Sequence, residues 1–338
     1  MDLKEYYAGR NVLVTGAAGS IGSEIVRELL RCGVHFVRAL DNNETALFEL
    51  KEKMASSRIQ IFFGDIRDGE RINKAVRGVD FVFHTAALKH VPLCELSPFE
   101  AVKTNIIGTQ NLIESAINEK IEKFITVSTN KAANPESVMG ATKLISERLT
   151  LVANLHKKTA FSCVRFGNVL NSRGSVVPLF KEQIRSTGVV KVTDPDMMRF
   201  MIGKSKVANL ILKAGSMAQG GEIFVFKAPL IRLGNLAKAI IEKVKEDGYN
   251  SGEVKIRIVG KRAGEKLYED LLTESEVECA YEMEDMVVIL PQIFSGFKER
   301  KQFVDNLSKF NFEGLFSKKA KPLEEEKLKE LLRRERIL

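Results

Sequence analysis

Apolar residues follow two periods along this chain. In the first half, short runs of strand length alternate with longer amphipathic stretches. The runs Asn11–Thr15, His35–Leu40, Gln60–Phe63, Phe81–Thr85, Lys123–Ser128 and Ser162–Phe166 predict strands. The stretches Ile21–Cys32, Glu44–Met54, Arg67–Val76, Pro98–Asn118 and Met139–Lys157 predict helices. Strands that alternate with helices need right-handed crossovers, and those build a parallel sheet. The fold expected is α/β, a doubly wound parallel sheet, with a smaller C-terminal lobe. After Phe166 the alternation loosens. Val176–Thr187, Lys206–Ala218 and Leu233–Asp247 predict helices, interrupted by short strands at Glu222–Phe226 and Lys255–Val259. A last helix is expected from Pro322, with Glu324–Glu326 at its positive end and Arg333, Arg334 and Arg336 at its negative end. Residues 1–170 are expected to form one domain. Residues 171–338 are expected to form mainly the smaller lobe, partly interleaved with the first.

Glycine spacing adds chemistry to the first crossover. The strand Asn11–Thr15 runs into Gly16-Ala17-Ala18-Gly19-Ser20-Ile21-Gly22 and then into a helix. Gly16 permits a tight turn, Gly19 lets backbone approach a pyrophosphate, and Gly22 lets the helix pack on the strand. Phosphates would meet free N–H groups at the helix start, together with Ala18, Ser20 and Ile21. This context makes the chain a dinucleotide-binding (Rossmann) protein. Asp41, nineteen residues after Gly22 at the end of the second strand, suits ribose hydroxyls and would repel a 2′-phosphate. The expected cofactor is therefore NAD. Asp65 and Ile66 follow the third strand, where adenine should lie; Asp65 reads equally well as a helix N-cap.

Composition changes the picture little. With 44% hydrophobic and 28% charged residues, a core and a wet surface are both available. Cys32, Cys94, Cys163 and Cys279 lack metal-ligand or disulfide spacing, so no metal is expected. No apolar run reaches the length of a bilayer span, and the N-terminus has no signal-peptide core, so the expectation is a cytoplasmic protein with no membrane span. The formal net charge is +8, but the basic tail mixes signs, as in ELLRRERIL. That argues against nucleic acid and for a solvated helix face, with a mild field for an anionic substrate.

The segment Ser128-Thr129-Asn130-Lys131 is followed by Met139-Gly140-Ala141-Thr142-Lys143. Short-chain dehydrogenases carry Tyr-x-x-x-Lys at such a place, with both side chains on one helix face. Lys143 matches; position 139 is Met. The stretches TGAAGSIGSE, GDIRD, HTAALKHVPLCE, KTNIIGTQN, STNKAANPESVMGATK, VRFGNVLNSRGSVVPLF, VTDPDMMRF, GGEIFVFK and KRAGEKLYE run in order from about residue 10 to 270. On these the chain resembles the UDP-N-acetylglucosamine 4,6-dehydratases, extended short-chain dehydrogenases/reductases of polysaccharide and glycoprotein pathways. Within that family it is similar to the short soluble forms, and to the subgroup that has Met for Tyr and retains the C5 configuration. Asn130 stands where the family has Asp.

The resemblance implies a redox-neutral cycle on a UDP-linked N-acetyl sugar, with oxidation at C4, loss of water across C5 and C6, and reduction at C6. It makes Lys131 the base at C5, a role that needs a neutral amine. Burial and the like charge of Lys143 are expected to favour that form. Lys143 would hold the nicotinamide ribose, and Thr129 would bond the C4 hydroxyl. Asn130 cannot exchange a proton at neutral pH. Met139 also reads as plain core filling. Ala86, Ala87 and Asn105 are implied for the cofactor. Asn168, Arg199, Arg262 and Glu265 are implied for the UDP-sugar; Arg173 is a candidate for its phosphates because guanidinium matches them, and Lys89, in the loop after the fourth strand, is a candidate to face the sugar. A homo-oligomer is implied too. Two other functions fit these residues: a UDP-N-acetylhexosamine epimerase, which returns the hydride to C4, and a catalytically impaired binder of NAD and UDP-sugar.

Overall fold

A computed structural model describes residues 2–248, 253–290, 307–310 and 312–338. A short helix α1 (Leu3–Tyr7) precedes the alternating half of the chain. That half runs β1 (Asn11–Thr15), α2 (Gly22–Arg31), β2 (Phe36–Asp41), α3 (Glu44–Met54), β3 (Ile59–Phe63), α4 (Gly69–Val76) and β4 (Phe81–His84). It continues through α5 (Val91–Leu96), α6 (Pro98–Val102), α7 (Gly108–Glu119), β5 (Lys123–Val127), α8 (Val138–Val152) and β6 (Ala160–Arg165). The strands pair in parallel, in the spatial order β6-β5-β4-β1-β2-β3. All four residues of β4 are buried, as a strand covered on both faces requires.

The second half contributes to the same sheet. It comprises β7 (Asn168–Val169), α9 (Val176–Thr187), β8 (Val189–Val192), β9 (Met198–Ile202), α10 (Lys204–Met217), β10 (Ile223–Phe226), β11 (Leu230–Arg232) and α11 (Leu233–Glu246). Then follow β12 (Lys255–Ile258), α12 (Glu274–Val277), β13 (Ala280–Glu282), β14 (Met286–Ile289), β15 (Ser308–Lys309) and α13 (Glu325–Arg334). The predicted strand at 222–226 is β10, which pairs parallel to β6, and β14, β13 and β15 extend that edge in antiparallel fashion. Among the described residues, β11-β9-β7 and β12-β8 form separate small sheets. A distinct core fills this region, with Phe180, Ile184, Met197, Ile231, Leu236 and Leu328 among its buried members.

Several boundaries depart from expectation, and three of the departures have a clear local cause. The last helix begins at Glu325 rather than Pro322, because Leu323 N–H bonds the Leu230 carbonyl and holds the chain extended. The helix after β3 starts at Gly69, capped by Asp68 on Arg71 N–H. The long helix predicted from Pro98 contains a π turn at Lys103–Ile107 between α6 and α7.

Candidate active site

The cofactor loop is set by contacts that exclude a side chain. A Cβ on Gly16 would lie 2.7 Å from Ala86 N, and one on Gly22 would lie 2.2 Å from the Gly16 carbonyl oxygen. Gly16 also has φ +65°, a conformation that favours glycine. No side chain caps α2; of its first N–H groups, that of Ser23 donates to the Gly19 carbonyl of the loop at 3.0 Å. Ala18 N–H donates to Asp41 Oδ2 at 3.0 Å, which ties the loop to the end of β2. Asp65 is engaged by Arg67 at 2.7 Å and by Asn42 at 3.2 Å, and the Arg67 hydrogen bonds hold its carboxyl below the usual range. Ile66 is buried against Gly108. These residues fit a dinucleotide: a bare glycine cradle, an uncapped helix start and an acid at the ribose end of β2.

The π turn explains Asn105. One extra residue in the helical turn directs this side chain inward, where it is 1% exposed. Its Oδ1 accepts from Leu88 N–H at 2.8 Å, and its Nδ2 donates to the Leu88 carbonyl at 3.0 Å and to Thr142 Oγ1 at 3.0 Å. The loop with Ala86, Ala87 and Lys89 is thus pinned to α8.

The catalytic segment leaves β5 in extended form and closes a single 3-10 turn at Asn130–Ala132, with Thr129 as its N-cap. Ser137 then caps α8 on Gly140 N–H. Met139 is buried among Val91, Cys94 and Ala101, where a thioether packs and offers no proton. Lys143, one turn on, donates to the Val127 carbonyl at 2.7 Å. Burial pushes its ammonium down to about 8, against the opposing pull of Glu147. Lys131 is paired with a carboxylate. Its Nζ lies 2.9 Å from Glu269 Oε1. Glu269 was absent from the sequence reading. It is 5% exposed and also accepts from Asn130 Nδ2 at 2.8 Å. Although burial works against it, Lys131, Arg199 and Asn130 hold its carboxyl below the usual range. Thr129 Oγ1 donates to Asn130 Oδ1 at 3.2 Å, so threonine, amide and carboxylate form one hydrogen-bonded row. A shallow cleft opens here, lined by Asn130, Lys131, Ser137, Gly264, Lys266 and Glu269.

The residues expected at the nucleotide divide into two groups. Lys89 Nζ donates to the Arg173 carbonyl, and Arg173 N–H donates to Ser20 Oγ, so a loop of the second half closes on the glycine turn. Burial, with the cations of Arg173 and Lys204, lowers the proton affinity of Lys89. Lys204 was also missed; it brings a third cation to this corner. Asn168 Oδ1 is buried with no hydrogen-bond partner among the described residues, an acceptor left for a ligand. Around the cleft, Arg262 and Glu265 form a tight turn in which Glu265 accepts from Arg262 N–H. Arg199 is 8% exposed and committed within the protein, to the Lys266, Leu267 and Met198 carbonyls and, at 3.4 Å, to Glu269. A pyrophosphate could reach it only by displacing these partners. Among the described residues no cluster of His, Cys, Asp and Glu could hold a metal ion, and no helix is long and apolar enough to cross a membrane.

Comparison with known proteins agrees with this geometry. The family described as polysaccharide biosynthesis protein matches residues 12–291. A Methanocaldococcus jannaschii protein called an uncharacterized membrane protein is 52% identical over 98% of both chains. A Campylobacter jejuni UDP-N-acetylglucosamine 4,6-dehydratase (inverting) is 38% identical over 93% of this chain and 90% of its own. A Rickettsia conorii UDP-glucose 4-epimerase is 35% identical over 96% of both. Among solved structures, Pen from Bacillus thuringiensis superposes with a TM-score of 0.89 at 38% identity, over 97% of this chain and 98% of its own. A Thermus thermophilus UDP-glucose 4-epimerase in complex with NAD gives 0.65 at 25% identity, over 75% and 88%. The chain belongs to the polysaccharide biosynthesis protein family, the NAD-dependent nucleotide-sugar dehydratases and epimerases of the extended short-chain dehydrogenase/reductase type.

Proposed function

We propose that the chain is a UDP-N-acetylglucosamine 4,6-dehydratase that retains the C5 configuration. One observation carries this reading. Lys131 stands at the cleft, paired with a buried carboxylate, while the position of the usual tyrosine is filled by a buried methionine. An epimerase that works at C4 alone needs that tyrosine. A dehydratase needs a group that serves C5 and C6, and Lys131 is the residue we assign to it. NAD, when bound, takes a hydride from C4 and returns it at C6. Thr129 directs its hydroxyl proton to Asn130 and accepts from Lys131 N–H, which leaves one lone pair for the C4 hydroxyl of the sugar. Lys143 holds the nicotinamide ribose with the protons not given to Val127. The proton lost at C4 and the one gained at C5 cancel over the cycle, so the net change is loss of one water.

Lys89 and Arg173 are assigned to the pyrophosphate, Asn168 to the polar groups of the nucleotide, and the Arg262–Glu265 turn to the rim of the cleft. The reading puts the enzyme in the cytoplasm, where UDP-sugars are made. Its working form is taken as a homo-oligomer. The test is incubation of the purified protein with UDP-N-acetylglucosamine, read by mass spectrometry. Loss of one water is the expected result. An isomer of unchanged mass establishes an epimerase instead, and an unaltered sugar that still binds establishes a binder.

A further inference from the structure

Position 130 carries an amide, yet the site does not lack a carboxylate. Glu269 comes from the opposite half of the chain, and both of its oxygens are given to the catalytic segment. Oε2 accepts from Asn130 at 2.8 Å, and Oε1 meets Lys131 at 2.9 Å. A carboxylate buried only to anchor its loop would need no more than Arg199. This one is instead in contact with the Lys131 amine, which lines the cleft.

We propose that Lys131 and Glu269 act as a single proton-handling unit, with Glu269 as the positioning residue that stores the lysine's proton during the elimination. The proposal rests on the dehydratase reading. The step balances within the pair and the sugar. Lys131 passes a proton to Glu269 and becomes an amine. The amine takes the C5 proton, and the C5–H electron pair forms the C5–C6 double bond as the C6–O bond breaks. The ammonium so formed gives its proton to the departing oxygen, which leaves as water, and Glu269 then returns the stored proton. Two groups this close titrate together. A bound sugar that excludes water favours the neutral amine–acid form, because it removes the solvation that Lys131, 26% exposed, still has beside the already buried Glu269. Arg199 faces the carboxylate from β9, and Glu136, Lys266 and Asp270 line the same cleft, so the pair titrates in their field. Asn130 suits this unit: it donates to Glu269 without adding a second negative charge.

The test compares the NAD-loaded parent, Glu269→Gln and Glu269→Asp. Rates of water loss from UDP-N-acetylglucosamine are followed against pH, and melting curves report folding. The parent should show a nearly flat profile around neutrality. Glu269→Gln should lose about 10²- to 10⁴-fold at neutral pH, the range of general acid–base help, and recover as pH rises. Glu269→Asp keeps the charge and should rescue part of the rate, and it carries the comparison if the glutamine variant does not fold. A loss that is the same at every pH, or no loss, overturns the proposal. A second readout needs no turnover: acylation of Lys131 against pH, measured by peptide mass spectrometry. The pH of half-reaction should fall in Glu269→Gln, and an unmoved value overturns the pairing. If the parent removes no water, the dehydratase reading has failed, and the acylation result alone decides on the pair.

Discussion

Asn130 and an aspartate differ by one group, but beside Glu269 they are not interchangeable. Asn130→Asp would set two carboxyls 2.8 Å apart, and one of them must hold a proton near neutral pH. The expected outcome is a new ionisation in the rate profile, above the usual carboxylate range, with the bound NAD content unchanged. A profile identical to the parent's would show that the two side chains do not meet. Lys143 gives a second expectation. Its ammonium is pushed down to about 8 by burial, so the cost of burying the charge is present below that pH and disappears as pH rises toward the unfolded value. Removing the charge recovers about 3 kcal/mol at pH 7, less about 1 kcal/mol for the hydrogen bond to Val127. Lys143→Met should therefore be at least as stable as the parent in urea melts, while losing water-elimination activity; a destabilised variant contradicts this. Thr129, Lys131 and Lys143 could be proposed from the sequence because the motif that carries the resemblance is local. Glu269 was not, because it lies 139 residues from Asn130 and only the fold brings the two together.

At the scale of elements, strands and helices with strong periods were read correctly to within a residue or two, including β1, α3, β3 and α9. The small strands β8, β9 and β11 were missed, since pairing partners rather than pattern define them. The π turn was missed as well; one inserted residue leaves the apolar repeat nearly unchanged while rotating Asn105 inward. The end of β4 offers a pH test. His84 bridges Thr15 at 2.8 Å and Thr109 at 3.0 Å, and burial pushes its imidazole down to about 3. Between pH 6.5 and 3 the unfolded chain binds a proton that the folded chain does not. Stability from this group is intact above 6.5 and is lost as pH falls, by up to about 5 kcal/mol. His84→Gln keeps hydrogen-bonding capacity without the titration. Its stability difference between pH 7 and pH 4.5 should be smaller than the parent's in urea melts, and an equal difference would assign the acid sensitivity elsewhere.

For the molecule as a whole, surface apolarity is concentrated on helices packed against one another. Leu93 and Leu96 of α5, Phe99 of α6 and Ile145 and Val152 of α8 are all exposed, Leu96 and Phe99 by about four-fifths. Such a face is expected to be covered by a second copy of the chain. Light scattering should give at least a dimer, and Leu96→Glu combined with Phe99→Glu should shift it toward the 37.8 kDa monomer. A parent that stays monomeric at micromolar concentration rules this out. The Glu269 contact also bears on recombination among relatives. A crossover near residue 170 looks safe from the sequence, since it falls between the cofactor half and the nucleotide lobe. It would nevertheless separate Asn130 and Lys131 from the carboxylate they share, and Arg199 would travel with the carboxylate. Chimeras joined there are matched in fold and mismatched in protonation, so changing nucleotide preference by exchanging the lobe requires carrying residues 129–131 along with it.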